Sequence, residues 1–229
     1  MPSLTIENYV KAIYQLAGED ESDSVSTGAL ATQLGVSPSS VTSMLKTLHD
    51  SELAEHRPYV GVRLTDQGRR LALRVLRRHR LIELFLARTL KLTWDEVHEE
   101  AEHMEHAVSD LLVDRIDEYL GFPGIDPHGD PIPKSDGSVA VAAQTALSAC
   151  SAGCEFRVQR VLDQTAEFLR FLSESSLEIG ARGTVLRCDT SSGTITIRVN
   201  AAEMTLSKEA AGQIMIATVF GMQSASVTD

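Results

Sequence analysis

The first third of the chain alternates helical hydrophobic patterns with glycine-containing breaks. Apolar residues recur at helical spacing over residues 4–17, which predicts an amphipathic first helix. A short second helix is predicted over residues 27–34, where Gly35 ends it, and the Ser37-Pro38 pair then starts a third helix. Helix, glycine turn and helix together indicate a helix-turn-helix unit.

The pattern then changes to a hairpin and a set of longer helices. Residues 53–57 and 60–64 alternate apolar and polar positions around a Pro-Tyr pair, which predicts a short antiparallel hairpin. A hairpin directly after a helix-turn-helix indicates the wing of a winged-helix domain. Helical periodicity predicts three more helices over residues 65–90, 94–108 and 109–120.

Beyond residue 133 the composition and the periodicity change again. Residues 134–153 are rich in alanine and serine and are predicted to be a linker. Short β-branched or apolar runs follow, with one helical insert over residues 164–172, and this pattern is typical of a small barrel. The runs cover residues 156–162, 183–188, 194–200 and 214–220.

Charge is segregated along the chain, although a net charge of −11 opposes nucleic-acid binding. Residues 57–80 contain eight arginines and one acid, whereas residues 95–126 contain eleven acids and one arginine. We interpret the basic segment as suited to anions and the acidic segment as suited to cations.

The remaining composition indicates a cytoplasmic protein with no membrane partner. The sequence has no apolar run long enough to cross a bilayer, and its start has no secretory pattern. We expect Cys150, Cys154 and Cys188 to be ordinary reduced thiols, although the spacing of the first two would permit a metal.

The third helix is the predicted DNA-reading element, because recognition helices present their first turns to the major groove. Its outward positions are small and polar, so hydroxyl groups, the Pro38 ring and DNA shape are expected to replace bidentate base contacts. A helix-turn-helix can also be a packing motif alone, but the wing and the basic helix that follow favour DNA binding. The candidate DNA-binding residues are Thr27, Ser37, Pro38, Ser39, Ser40, Thr42, Ser43, Lys46, Arg57 and Tyr59.

Histidines and carboxylates cluster between residues 98 and 106 at spacings that share one face of a helix. Oxygen-rich ligation with imidazole and without thiolate favours Mn²⁺ or Fe²⁺ over a structural zinc ion. The alternative is a solvated acidic face with incidental histidines. The convergent residues are His98, Glu102, Glu105 and His106, with His79 and Glu83 as an i, i+4 pair on the preceding helix and Asp126 and His128 as an additional pair.

Catalysis is not expected. The zinc-protease motif requires a histidine four residues after His98, where Glu102 stands. Di-iron bundles use Glu-x-x-His from each of two helices, and only the segment from Glu102 to His106 comes close to that pattern. We find no Ser-His-Asp order and no phosphate-binding glycine loop in the sequence.

A series of motifs resembles the diphtheria-toxin-repressor (DtxR/MntR) family of metal-dependent regulators over nearly the full chain. Each motif alone is weak, and their order carries the resemblance. The motifs lie at residues 7–9 (Glu-Asn-Tyr), 37–42 (Ser-Pro-Ser-Ser-Val-Thr), 64–68, 78–83, 97–102, 105–110 and 127–133 (Pro-His-Gly-Asp-Pro-Ile-Pro).

The resemblance implies a mainly α chain with a small β domain, acting as a homodimer on double-stranded operator DNA. It would repress transcription when Mn²⁺ is bound and so control metal-ion homeostasis. The alternatives are an Fe²⁺-responsive member of the same family, a carboxylate and histidine metalloenzyme, and a winged-helix regulator of an organic ligand. The implied domains are a winged helix-turn-helix at 1–73, a helical dimerisation and metal-binding domain at 74–135, a linker at 136–153 and an SH3-like (FeoA-like) domain at 154–229.

The resemblance also implies two metal sites. The primary site maps to Glu102, Glu105, His106 and Asn8. The second maps to His79, Glu83 and His98, or, as in some manganese-type relatives with the extra domain, to Glu83, Asp126, His128 and Glu167, with Gln164 as a further candidate.

Three positions bear on the choice of metal. Iron-responsive members have cysteine where Glu102 stands, and a hard oxygen ligand agrees with manganese. Manganese members usually carry aspartate where Asn8 stands, and the shorter two-domain type has glutamate where Lys11 stands. Because a lysine cannot ligate, we do not expect the binuclear centre of that shorter type.

Overall fold

The computed structural model describes residues 3–18, 24–57 and 60–218, which fall into two compact units. In these ranges, no helix combines the length and the apolar character that crossing a bilayer requires. Unit 1 comprises Met1–Ile82, Ala101–Gly121 and Ile132–Val139, and unit 2 comprises Glu83–Glu100, Phe122–Pro131 and Ala140–Asp229.

Three serine-capped helices open unit 1. They are α1 (Leu4–Ala17), α2 (Thr27–Leu34) and α3 (Pro38–Asp50), as the hydrophobic pattern predicts. Each begins after a serine whose hydroxyl accepts a hydrogen bond from a backbone N–H three residues on, which satisfies a donor that the first helical turn leaves unpaired. Gly35 ends α2 at φ 63°, in the left-handed region that glycine adopts without strain.

The predicted hairpin completes the helix-turn-helix unit. Strands β1 (Ala54–Arg57) and β2 (Gly61–Leu64) pair antiparallel, and an isolated bridge joins β2 to Val25. One apolar core holds the three helices and the hairpin together, so the position of α1 is tied to that of α3. Its members include Tyr9, Val10, Ile13, Leu30, Val41, Leu45, Leu48 and Val62.

Of the three helices predicted next, the second differs in length from the prediction. Helix α4 (Asp66–Phe85) continues as one π-helical turn at Leu86–Leu90, and α5 (Val97–Met104) is shorter than the predicted helix over residues 94–108. Helix α6 (Asp110–Leu120) begins at an extended Ser109 cap. Because that cap cannot be helical, the chain leaves α5 early, and the N–H of Ala107 donates to the Met104 carbonyl in a tight turn at 2.9 Å.

Unit 2 contains the β domain. Its sheet has the order β6-β5-β4-β3-β7 with every neighbour antiparallel, and the predicted helical insert is α7 (Ala166–Glu174). Register shifts in β3 and β4 are the bulges at which strands of small barrels bend. The strands are β3 (Glu155–Val161), β4 (Arg182–Asp189), β5 (Thr194–Val199), β6 (Ala202–Ser207) and β7 (Ile214–Thr218).

Two elements of unit 2 were missed. Strand β6 and the short helix α8 (Lys208–Gly212) carry no strong pattern, since β6 has only one buried residue. Within the predicted linker, Leu147 is fully buried in the core of unit 2 and starts a 3-10 turn. The boundaries given above for the domains stay predictions.

The interpretation of the basic segment as an anion surface is wrong for two arginines near its end. Arg77 is buried on α4 and donates to Asp117 of α6 at 2.8 Å. Arg78 is buried beside it and donates to Asp110 at 2.7 Å. Carboxylates of the acidic segment therefore neutralise these two arginines within unit 1, because a buried guanidinium requires a carboxylate partner.

The start of α4 yields a prediction about the stability of the protein. A Cβ on Gly68 would lie 1.9 Å from the carbonyl oxygen of Leu53, which is backbone and cannot rotate away. We expect Gly68→Ala to destabilise the protein by about 1–3 kcal/mol, measured as a lower midpoint in urea unfolding.

Gly28→Ala is the matched control, because Gly28 is exposed on α2 and its nearest neighbouring atom is 3.9 Å from the added methyl group. Alanine favours a helix, so this variant should be unchanged or more stable by up to about 1 kcal/mol. Equal midpoints for both variants would show that the contact of α4 with Leu53 is not tight.

Candidate metal centre

Four titratable side chains from separate elements of unit 1 meet in one group, which we call cluster 1: Lys11 of α1, His79 of α4, Glu102 of α5 and Glu105. Glu105 is fully buried and accepts hydrogen bonds from Lys11 Nζ at 2.8 Å and from His79 Nδ1 at 2.6 Å. Lys11 Nζ also donates to Glu102 Oε1 at 2.6 Å. Cluster 1 therefore holds two carboxylates close enough to share one cation.

The charge of Glu105 depends on these neighbours. Burial alone would raise the pKa of the Glu105 carboxyl, but the hydrogen bond from His79 and the positive charge of Lys11 outweigh burial and lower the pKa below its ordinary value. The carboxylate is therefore ionised and offers its oxygens to a cation at neutral pH.

His106 and Asn8 supply two further donor atoms. Nδ1 of His106 lies 2.7 Å from a carboxylate oxygen of Glu7, and because that oxygen only accepts, Nδ1 carries the hydrogen. In the neutral ring Nε2 presents a lone pair, and this atom lies 3.2 Å from Glu105 Oε1. Within the described part of the chain, neither Nε2 of His106 nor the buried Oδ1 of Asn8 has a hydrogen-bond partner.

These donor atoms fit a divalent cation. Two ionised carboxylates, an imidazole lone pair and an amide oxygen are the ligands that Mn²⁺ and Fe²⁺ accept. Buried polar atoms without a partner are costly unless a ligand satisfies them, and here two such atoms lie on residues predicted from sequence to ligate. The four residues named for the primary site thus supply a compatible donor set.

A second group lies entirely within unit 2, and we call it cluster 2: Glu83, Asp126 and His128. All three are buried, and each offers a ligand atom within 4.8 Å of the others. Nε2 of His128 donates to the Trp94 carbonyl at 2.8 Å, so in the neutral ring Nδ1 carries the lone pair. Nδ1 lies 3.8 Å from Glu83 Oε2. The backbone carbonyl therefore sets the tautomer in which Nδ1 can ligate.

A tight turn aims the residues of cluster 2. Oδ1 of Asp126 accepts hydrogen bonds from the backbone N–H groups of His128 and Asp130 at 2.8 and 2.9 Å. Gly129 adopts φ +87°, and a Cβ there would lie 2.0 Å from the Gln159 carbonyl oxygen of β3. Only glycine permits both this conformation and this close approach.

The other predicted ligands are placed differently. Nδ1 of His98 lies 3.2 Å from Glu83 Oε1, so His98 borders cluster 2. The helical pattern that grouped His98 with Glu102, Glu105 and His106 does not apply to the last two, because α5 ends at Met104.

Two candidate ligands from the C-terminal domain belong to neither cluster 1 nor cluster 2. Gln164 donates its amide hydrogen to Asp130 Oδ2 at 2.7 Å, which makes it a support of the Asp126 turn. Glu167 is exposed on α7, and among the described residues it belongs to no group of ligand-type side chains.

The predicted DNA-reading face is solvent-exposed on α3. Its outward residues are accessible, whereas Val41, Leu45 and Leu48 face the core as predicted. The Ser37 hydroxyl also caps the helix, and Tyr59 lies outside the described residues. The exposed candidates are Ser37, Pro38, Ser39, Ser40, Thr42, Ser43 and Lys46, with Arg57 exposed on β1 and Thr27 half-buried at the start of α2.

Sequence reasoning missed the residues that support the donors. Glu7 orients the His106 ring, and the Trp94 carbonyl and indole ring do the same for His128, with the rings stacked at 6.1 Å. Glu7 belongs to the Glu-Asn-Tyr motif at residues 7–9, and that motif is the one feature of the sequence that points to it. A backbone carbonyl leaves no signal in the sequence at all.

Family comparisons cover most of the chain. The N-terminal DNA-binding domain of iron-dependent repressors matches residues 1–62, and their metal-binding and dimerisation domain matches residues 65–134. The FeoA domain matches residues 145–218, which confirms the predicted SH3-like domain.

Individual relatives agree with these matches. The transcriptional regulator MntR of Geobacillus kaustophilus is 34% identical over 53% of this chain and 84% of its own length. The iron-dependent repressor IdeR of Mycobacterium tuberculosis is also 34% identical over 56% of this chain, but the match spans only 55% of IdeR.

A solved structure is similar over nearly the whole chain. A manganese-dependent transcriptional repressor in complex with manganese superposes with a TM-score of 0.86 at 40% identity, covering 93% of this chain and all of that one. The order of domains, the donor clusters and these similarities agree, and the chain belongs to the DtxR/MntR family of metal-dependent transcriptional repressors.

Proposed function

We propose that this protein is a cytoplasmic, Mn²⁺-responsive repressor that binds operator DNA as a homodimer. The observation that carries the proposal is the donor set of the primary site, Asn8, Glu102, Glu105 and His106, which combines hard oxygens with one imidazole. The manganese-dependent repressor of similar structure supports the same metal.

The donors connect the DNA-binding unit to the rest of unit 1. Asn8 lies on α1, one face of which packs in the core that also holds α3, whereas Glu102 and Glu105 come from α5 and the turn after it. Bound Mn²⁺ supplies positive charge and coordinates several ligands at once. Because the donors lie on both segments, Mn²⁺ binds more tightly when α1 is in one position than in others. A corepressor acts through such a difference in affinity between two conformations.

Helix α6 supports the homodimer. Leu111, Leu112 and Tyr119 are 68%, 47% and 69% exposed on this helix. Large apolar side chains in such a patch mark an interaction surface. A symmetric dimer would bury the patch against its own copy and present two α3 helices to two half-sites.

The donor set favours manganese over iron as the activating metal. Carboxylates accept Mn²⁺, whereas the thiolate that iron-responsive relatives carry at the position of Glu102 favours softer ions. Iron-dependent regulation exists in the same family and is the second candidate, which the experiments below separate.

The first prediction concerns metal-dependent DNA binding. A duplex selected from a random library with the Mn²⁺-loaded protein should bind with nanomolar affinity in Mn²⁺ and far more weakly in chelator. His106→Ala should raise the Mn²⁺ concentration needed for half-maximal binding by more than roughly tenfold, because it removes the imidazole donor. Fluorescence anisotropy with a labelled duplex measures both effects.

His103→Ala is the matched control, since His103 is exposed on α5 three residues before His106. It should respond to Mn²⁺ as the wild type does. Wild-type binding that is equally tight in chelator would overturn the proposed regulation, and an unchanged response of His106→Ala would remove His106 from the site.

The second prediction concerns metal choice. Glu102→Cys should raise the Mn²⁺ concentration needed for operator binding relative to the Fe²⁺ or Co²⁺ concentration, because a thiolate favours the softer ion. The operator recognised should not change. Anaerobic titrations of each metal against the labelled duplex measure the ratio.

Glu99→Cys controls for an added thiol, because Glu99 is exposed on the same helix. Equal shifts for all metals in Glu102→Cys would contradict the selectivity argument. Activation of the wild type by Fe²⁺ and not by Mn²⁺ would make the iron-responsive alternative correct.

A further inference from the structure

Lys11 occupies the position between carboxylates that a metal cation would be expected to take. Its Nζ donates to Glu102 Oε1 at 2.6 Å and to both oxygens of Glu105 at 2.8 and 3.0 Å. The residue is only 7% exposed, so its ammonium group is largely removed from water. A buried ammonium is stable only beside negative partners, and Glu102 and Glu105 provide them.

The same oxygens belong to the donor set of the primary site. A carboxylate that is bound by both an ammonium and a divalent cation brings two positive charges close together, and their repulsion is strong in a buried site. Contact of Glu102 and Glu105 with Lys11 and their contact with a metal are therefore in competition.

We propose that Lys11 is a tethered cation that holds cluster 1 together in the metal-free protein and competes with Mn²⁺ for Glu102 and Glu105. The inference rests on the proposed function and adds a regulatory role for Lys11. Lys11 keeps the two carboxylates together before metal arrives, and it raises the concentration of Mn²⁺ that the repressor requires.

A purely structural salt bridge predicts something different. If Lys11 only stabilised the fold, its loss would loosen the site and weaken metal binding. A competing cation predicts opposite signs for the two properties, since its loss lowers the stability of the metal-free protein and strengthens Mn²⁺ binding. Methionine tests this well, because it keeps most of the apolar stem of lysine without the charge.

Lys11→Met should bind Mn²⁺ about tenfold more tightly than the wild type in isothermal titration calorimetry without DNA. The metal-free variant should melt roughly 5 °C lower, because Glu102 and Glu105 lose their cation. Lys11→Arg keeps the charge and should stay within about threefold of the wild-type Mn²⁺ affinity. Lys134→Met, at an exposed site of unit 1, should change neither property.

The outcomes separate the inference from the proposed function. Mn²⁺ binding by the wild type with unchanged or weaker binding by Lys11→Met would overturn the role of Lys11 and leave the repressor function intact. No Mn²⁺ binding by the wild type would overturn the function itself. If metal-free Lys11→Met does not fold, Lys11→Gln carries the same expectation, because it retains a hydrogen-bond donor without charge.

An independent observation in unit 2 concerns its cysteines. Sγ of Cys154 lies 3.2 Å from Sγ of Cys150, and Sγ of Cys188 lies 3.2 Å from the Cys150 carbonyl oxygen. Cys150 and Cys154 are partly accessible, so a small oxidant can reach them. Burial and the two neighbouring thiols raise the pKa of Cys150 to about 12, which keeps this thiol protonated.

We infer that Cys150 and Cys154 are a peroxide-oxidisable pair. The Cys154 thiolate attacks one oxygen of hydrogen peroxide, the O–O bond breaks, and the sulfur becomes a sulfenic acid. Hydroxide leaves and takes a proton from solvent to become water. The Cys150 sulfur then attacks the Cys154 sulfur, its proton goes to the departing hydroxyl group, and a disulfide forms with a second water. The sulfurs need to approach only from 3.2 Å to about 2.05 Å for this bond.

Peptide mapping under non-reducing conditions tests the pair. After treatment with hydrogen peroxide, the full-length protein should contain a Cys150–Cys154 disulfide, and Cys188→Ser should form it equally well. Cys150→Ser should accumulate sulfenic acid at Cys154, detected with a dimedone probe. A product that joins Cys154 to Cys188, or thiols that stay reduced while free glutathione in the same tube is oxidised, would overturn the assignment.

Discussion

A carboxylate that is buried in a protein needs a cation beside it, and this constraint organises unit 1. Glu105 is paired with Lys11 and His79, and Asp117 is paired with Arg77. Glu105 joins α1 to α4, and Asp117 joins α4 to α6, so these three helices cannot move apart without exposing unpaired charge. The acidic and basic segments that are separate in the sequence therefore hold the helices together in space.

The same constraint bears on the proposed primary donor set. A site built only from neutral ligands would lose little stability when its cation leaves. Here two carboxylates must always face some positive charge, and the protein can supply that charge from its own chain through Lys11. On the proposed role of Lys11, the two states differ in which cation faces these carboxylates.

Hydrophobic periodicity predicted most of the fold because most elements bury one face. The bounds of α1, α2 and α3 follow from that pattern together with their serine caps. Strand β6 escaped because it lies at the edge of its sheet and leaves most side chains exposed. The types of metal donor could be read from the chain, but the contact of Lys11 with Glu105 joins residues ninety-four positions apart and depends on packing that periodicity does not encode.

The turn around His128 shows how far a ligand can depend on a distant part of the chain. The His128 carbonyl accepts a hydrogen bond from the backbone N–H of Val161 in β3, and Gly129 touches the same strand. The turn therefore packs against strand β3, which holds it in place. A relative without the C-terminal sheet would lack this support for the turn. Loss of the sheet in evolution would therefore also remove cluster 2, unless other residues rebuilt it.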